Sequence, residues 1–597
     1  MRDRRNTSLS VSSTSSSSNS TLCGSSRTSL NEKRHSSPPP PSPTLPAPVT
    51  KENSSVPNAR PRWWHRMAMR SFALACTLVA VLQFFFQPIA PLGIRIPGGY
   101  GAKSDVASTT TNAVADSYTE PAAIAVTNEA GHSRWTVVIP PERPFPLRGK
   151  EYQEICRQGQ RLRDTLSQES RLVRAKDWRR KGGYYSRDHT YLDVEQAETI
   201  GVLPALEADS GVNVCDKSMT FVLDAEDASF GKSLLMLWLS YGLAKKEGRA
   251  FFIDDSRWAY GQYSTFFASL PTSSCVQPPR HHIVPCPHSA KHLLVSSVTL
   301  PWTYGSAFEK EFSQFRQHGA SRSRRIYDLL RRGYEDLFIL QGEDALYAAS
   351  RLAKFSEDAH LHAGTVVGMH IRRGDLHPLE FQFSQDYIPI ERYAAASQNM
   401  LRNQLHASLP ETHKAADDFH TFLEYVHSPL LLGSDDPEMF DSAELKEAAA
   451  PFVVQKAQER IQLATKATLD LAAPAESLRE PGSAYVKHVD ENSGWEGGFY
   501  SSLFFALGQS RPGQTSSSPV NDIPDSSPSE ATKHIRKLVG RAYLLDLAVL
   551  GESDGVVCAV SSASCRLLGV MLGWDAVIGG QWMNVDDGRP WSWDGRG

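Results

Sequence analysis

Seven consecutive residues, His370-Ile371-Arg372-Arg373-Gly374-Asp375-Leu376, come directly after the apolar run Thr365-Val366-Val367-Gly368-Met369, which reads as a buried strand. Two adjacent arginines and an aspartate at a strand's C-terminal end are poor core material. They suit an anionic ligand, because a guanidinium donates two parallel hydrogen bonds to phosphate oxygens. In open α/β sheets the ligand crevice also lies beyond those strand ends. A solvated Arg–Asp turn is the plain alternative. Two further blocks repeat the arrangement. The strand Leu430-Leu431-Leu432-Gly433 runs into Ser434-Asp435-Asp436-Pro437, with a helix from Glu438 to Ala450 and Pro437 suited to its first turn. The strand Gly555-Val556-Val557-Cys558 leads to Ser561-Ser562 and a helix from Ser564. Helix capping accounts equally well for one of the two aspartates and for the serines. Asp546 lies inside an apolar helix around Ala542 to Leu550, where packing gives a carboxylate no obvious purpose.

Periodicity indicates the elements that position these residues. Thr220-Phe221-Val222-Leu223 reads as a strand, Ser233 to Lys246 as a helix, and Ala250-Phe251-Phe252-Ile253 as the next strand. Strand, helix and strand within about 35 residues indicate a parallel sheet. The turn Ser229-Phe230-Gly231-Lys232 precedes that helix, whose N-terminal N–H groups favour an anion, although a tight turn explains one glycine as well. Glu151 onward shows helical spacing, and Ser321 to Lys354 reads as one helix. No solenoid-period repeat is present.

The chain has 597 residues, too many for one core, and a net charge of −3 that gives no sign of nucleic-acid binding. Residues 1–70 hold eleven Lys/Arg and three Asp/Glu, a net of +8, which leaves −11 for the rest. Their Ser/Thr/Pro-rich composition predicts a disordered cytosolic tail. Residues 71–94 are the one membrane candidate, since a spanning helix needs roughly 20 apolar residues. Arg60, Arg62, Arg66 and Arg70 precede the segment and predict a type II signal anchor with the C-terminal part lumenal. Residues 95–150 read as a stem, 151–355 as an N-terminal α/β part, and 356–597 as a second α/β part with a flexible insertion at 509–532. Six cysteines come after the anchor, which permits disulfides in a lumenal domain. Cys558 and Cys565 can close a small loop; Cys156, Cys215, Cys275 and Cys286 allow three pairings. No cysteine pair shows metal-ligand spacing.

In order and spacing, three blocks together resemble the α-1,6-fucosyltransferases, and more distantly the peptide O-fucosyltransferases. They are His370 to Asp375, Gly433 to Pro437, and Asp546 with Val557 to Arg566. The resemblance spans roughly residues 215–580 and points to a divergent member of fungal type. It implies an α/β, GT-B-like fold with two Rossmann-like parts, GDP-fucose as donor, and no cofactor or metal. By position it implies that Arg372 stabilises the β-phosphate, that Arg373 and Asp375 shape its pocket, and that His370 lies beside the nucleotide. Glu380 stands where the family places its general base, and Asp435 and Asp436 where it has paired aspartates. Asp546 matches the carboxylate that reads guanine, Ser561 and Ser562 the serines on the diphosphate, and Cys558 and Cys565 a disulfide. Gly231 is placed with the donor-binding residues on the strength of its turn. Leu376 replaces a lysine of the animal enzyme, the segment from Glu380 to Tyr393 is longer, the cysteine pattern near Cys215 is sparser, and no SH3-like domain is expected.

The expected protein is therefore a metal-independent, inverting fucosyltransferase of the Golgi membrane with a glycan or glycoprotein acceptor. Two alternatives remain. One is a protein O-fucosyltransferase or other nucleotide-sugar transferase. The other is a non-catalytic Golgi sugar-binding or scaffold protein, which the change at Leu376 keeps open.

Overall fold

The computed structural model describes residues 119–128, 131–173, 183–186, 188–204, 213–224, 230–270, 273–361, 365–373, 387–408, 428–463 and 530–595. The tail and the expected anchor at 71–94 lie outside them, as do Ser229, Gly374 to Asp386 and the expected insertion at 509–532 apart from its last residues. Among the described residues no helix is long and apolar enough to cross a membrane.

Two parallel sheets organise the chain, which is a mixed α/β protein. The first has three strands, β3 (Ser218–Val222), β4 (Ala250–Asp254) and β5 (His292–Val295), in the order β4-β3-β5. Every residue of β3 is buried, as expected of a central strand covered on both faces. Helix α2 (Phe230–Glu247) makes the crossover from β3 to β4 and is apolar nearly all round. It can bury that surface because α3 (Arg324–Leu337) crosses it at glycines. A Cβ on Gly242 would stand 2.1 Å from Leu329 O, and one on Gly333 2.2 Å from Trp238 O. Any larger residue at either position forces the helices apart.

The second sheet has the order β10-β9-β6-β7-β8, all parallel: β6 (Val367–Ile371), β7 (Leu430–Ser434), β8 (Val454–Lys456), β9 (Gly555–Cys558) and β10 (Trp582–Asn584). Alternation along β6 decides what covers each face. Val367, Met369 and Ile371 pack with Ile390, Tyr393 and Met400 of α5 (Ile390–Ser408). Gly368 and, on β7, Gly433 face α6 (Glu530–Leu550), leaving the room that Leu550 fills. That close seating of α6 also brings Asp546 near: its Cβ would lie 3.4 Å from a Cβ placed on Gly433.

A hairpin of β1 (Ala122–Thr127) and β2 (Ser133–Val138) lies inside the span expected as stem and packs, through Trp135 and Val137, with Tyr152 and Ile155 of α1 (Gly149–Val173). Among the described residues there are three disulfides. Cys558–Cys565 is the expected one, and Cys156–Cys286 and Cys215–Cys275 choose among the three open pairings. The last two close 130 and 60 residues, worth about 5 and 4 kcal/mol of unfolded-chain entropy in the loop-closure account.

Two expected helices need correction. Ser321 to Lys354 is not continuous: α3 ends at Leu337 and α4 (Gly342–Leu361) begins after a break. There Leu340 bridges to Phe267, Ile339 O accepts from Ala268 N, and Gly342 takes a φ of +54°. Tertiary pairing outweighs helical propensity in the short stretch from Phe338 to Gln341. The helix expected from Glu438 instead begins at Ala443 after a 3₁₀ turn, Met439–Asp441. Its cap is Ser442, whose Oγ accepts from Leu445 N at 3.2 Å.

Candidate functional site

Register sets the site. Ile371 pairs with Ser434 and His370 with Cys558, so the three central strands of the second sheet end level with one another. The residues at and just beyond these strand ends meet in one cleft: His370 and Arg372 from β6, Ser434 and Asp435 from β7, and Ser562 and Ser564 beyond β9. Asp546, Val539, Tyr543 and Leu547 enter from α6. The opposite wall belongs to the first sheet's half: Phe230 and Gly231 in the first turn of α2, and Tyr260 after β4. The cavity measures about 50 Å³, room for a few water molecules and hence for a phosphoryl-sized group.

The strand ends are tied together. Ser434 Oγ donates to Ile371 O at 2.7 Å, and Arg373 N donates to Asp435 Oδ1 at 2.7 Å. Asp435 thus holds the chain after β6 in place while lining the cleft. Asp436 turns away: its Oδ1 accepts from Glu438 N at 2.8 Å, a local turn bond. Arg373 also leaves the cleft, pairing with Glu444 at 3.1 Å and lying over the Tyr387 ring. Asp375 and Glu380 lie outside the described residues.

Arg372 and His370 are deeply buried, at 5% and 6% exposure. Burial, and then the Arg372 charge, push His370 down to about 4, so its imidazole is neutral at pH 7. Its Nδ1 has no hydrogen-bond partner. Ser562 occupies the N-cap position of α7 (Ala563–Leu572), yet its side chain makes no capping bond. Its Oγ and that of Ser561 are buried without partners. A buried hydroxyl left unpaired costs about 1–3 kcal/mol, so capping does not explain Ser562. A helix N-terminus with an unused hydroxyl beside a buried guanidinium is organised for an anion. Asp546 is the opposite case. The protein packed around its carboxyl pushes its pKa well above the usual carboxylate range, while the Gln458 backbone N–H and the Lys456 ammonium pull it back. A ligand that donates hydrogen bonds there favours the carboxylate form.

The cleft therefore gathers His370, Arg372, Asp435, Asp546, Ser562 and Gly231, and leaves Arg373, Asp436 and Ser561 outside its lining. Sequence reasoning missed its aromatic walls, Phe230, Tyr260 and Tyr543, the last bonded to Ser564 Oγ at 2.9 Å. Their residue types fit a core equally well, and only the meeting of the two halves brings them to a cleft. It also missed a cluster with metal-ligand chemistry, Glu198, His281 and His282, outside the cleft lining. The adjacent histidine pair was its only sequence signal.

The His370 environment has a measurable consequence. Its ordinary value is 6.5, so below that pH the unfolded chain takes up a proton that the folded protein refuses. The stability is present above pH 6.5 and lost as pH falls toward 4, by about 2 kcal/mol between pH 7 and 5. Buried His292, also lowered to about 4, adds a loss of the same sign. Urea unfolding should show this loss, with His370→Gln reducing it; an unchanged slope in that variant would exclude His370 as a source.

No protein-family model matches the chain, and no curated protein matches it in sequence. Among solved structures it is similar to NodZ α-1,6-fucosyltransferase soaked with GDP-fucose. That match has 12% identity and a TM-score of 0.28 over 60% of this chain and 93% of that one. Fucosyltransferase NodZ from Bradyrhizobium in its selenomethionine form gives 11%, 0.26, 59% and 91% in the same order. A mutant of Arabidopsis thaliana FUT1 in complex with GDP gives 10%, 0.29, 61% and 70%. Identities and TM-scores this low carry no functional assignment.

Proposed function

We propose that the protein is a fucosyltransferase that moves fucose from GDP-fucose to a glycan hydroxyl with inversion, forming an α-1,6 linkage on an N-glycan-like acceptor. One observation carries the reading: buried Arg372, uncapped Ser562 and Asp546 converge on one cleft from the ends of neighbouring parallel strands and the helix above them. The resemblance of the three sequence blocks agrees with it. A GT-B-like arrangement, with the acceptor entering between the two sheets, suits a cleft walled by both halves.

In the proposed reaction the acceptor oxygen attacks C1 of fucose as the bond from C1 to the β-phosphate oxygen breaks in line. Negative charge grows on the departing diphosphate, and Arg372 with the α7 N-terminus stabilises it. Glu380 receives the acceptor's hydroxyl proton. Asp375 shapes the same pocket, and no metal takes part in this scheme. Three disulfides suit an oxidising compartment, consistent with a lumenal catalytic part behind a type II anchor in the Golgi membrane.

Asp546 is assigned to the base, accepting from guanine N1–H and the 2-amino group. Asp546→Asn loses the paired acceptor, and GDP affinity should fall about 100-fold, roughly 3 kcal/mol. The test is calorimetric titration with GDP and UDP, alongside GDP release from a panel of GDP- and UDP-sugars with N-glycan acceptors. Release confined to GDP-fucose supports the proposal. Equal release from UDP-sugars, or undiminished GDP binding by Asp546→Asn, contradicts it.

A further inference from the structure

Glu198, His281 and His282 bring their donor atoms within 4.8 Å of one another. His282 Nε2 lies 2.9 Å from Glu198 Oε2, and His281 Nε2 lies 3.1 Å from Oε1 of the same carboxylate. The three side chains are only 12–14% exposed. The two contacts differ in kind. His282 is well aligned for a hydrogen bond with Glu198, whereas His281 Nε2 stands at ion-pair distance from the other carboxylate oxygen in poorer alignment. Two imidazole nitrogens and a carboxylate that converge at these distances form a donor set that a cation can share.

We propose that Glu198, His281 and His282 form a binding site for a borderline divalent transition cation of the Zn²⁺ class. Two imidazole nitrogens and one carboxylate oxygen suit such ions, while Ca²⁺ and Mg²⁺ require mostly oxygen donors. A tetrahedral ion with bonds of about 2.0–2.1 Å holds its ligands about 3.3 Å apart, close to the two histidine–carboxylate separations of 2.9 and 3.1 Å. Three protein ligands leave the fourth position to water.

The frame around the donors is fixed before any ion arrives. Glu198 lies on the short helix Val194–Thr199, anchored in the core by Val194 and Ala197. His281 and His282 belong to the 3₁₀ turn Arg280–His282, four residues before the Cys286 disulfide to Cys156. The neighbouring His292 is not among the converging donors; its Nδ1 is hydrogen-bonded to Ser218 Oγ at 2.9 Å. A bound ion links two segments 84 residues apart beside the first sheet. The site lies outside the lining of the donor-binding cleft.

The test uses the full chain, stripped with a chelator and returned to Zn²⁺ or Co²⁺. Calorimetry should give one equivalent bound, with a rise in the thermal midpoint. Co²⁺ should give the intense visible bands of a tetrahedral site. Glu198→Gln, and separately His281→Ala with His282→Ala, should abolish the bands and reduce Zn²⁺ affinity at least about a hundredfold. Gln preserves the side chain's size, so matching circular dichroism of that variant excludes misfolding as the cause. No stoichiometric binding by the parent chain, or equal binding by variants that fold normally, overturns the proposal.

Discussion

Arg372→Lys is expected to lower fucose transfer about 10³-fold while the protein stays folded. The variant keeps the positive charge, so the long-range attraction for GDP survives and affinity should fall only modestly. What it removes is the planar fork. Lysine offers a point charge where two parallel N–H groups were held in fixed directions. In the proposed mechanism the negative charge on the diphosphate is greatest at the transition state, and a pre-oriented donor acts most strongly there. Loss of one such donor typically costs about 10²–10³ in rate. Burial of Arg372 raises that cost, because water cannot take the missing donor's place. Single-turnover transfer measured beside GDP binding separates the two effects. Near-parental transfer would make Arg372 a bystander.

Glu380→Gln should lose about 10²–10⁴ in turnover, the usual contribution of a general base, and bind GDP normally. Glutamine matches glutamate in shape but cannot accept the acceptor's proton. Glu380 lies outside the described residues, so its assignment rests on its position five residues after Asp375. The diagnostic readout is the pH profile: the acid limb of kcat should disappear with the carboxylate. A parental profile would remove Glu380 from the role and send the search to other carboxylates near Arg372.

Much of this site was legible because strand ends are legible. β6, β7 and β9 announce themselves as short apolar runs, and each leads within a few residues to polar or charged groups that a core rejects. Asp546 was conspicuous for the same reason, a carboxylate within an apolar helix. The structure adds the distinctions that composition hides. Asp435 and Asp436 are adjacent and chemically alike, yet one lines the cleft and the other closes a turn. Ser562 sits where capping predicts a bond, and no bond forms. The break between α3 and α4 was invisible because Phe338 to Gln341 continue an apolar helical pattern, and only pairing with Phe267 and Ala268 interrupts it. The Cys156–Cys286 and Cys215–Cys275 pairings and the Glu198 cluster join segments far apart in the chain, and local periodicity carries no information about them.

The most direct test is a crystal structure of the protein with GDP. The account predicts the β-phosphate within hydrogen-bonding distance of the Arg372 guanidinium and the Ser562 hydroxyl, with guanine against Asp546. A diphosphate bound elsewhere, or an empty cleft at saturating GDP, would contradict it.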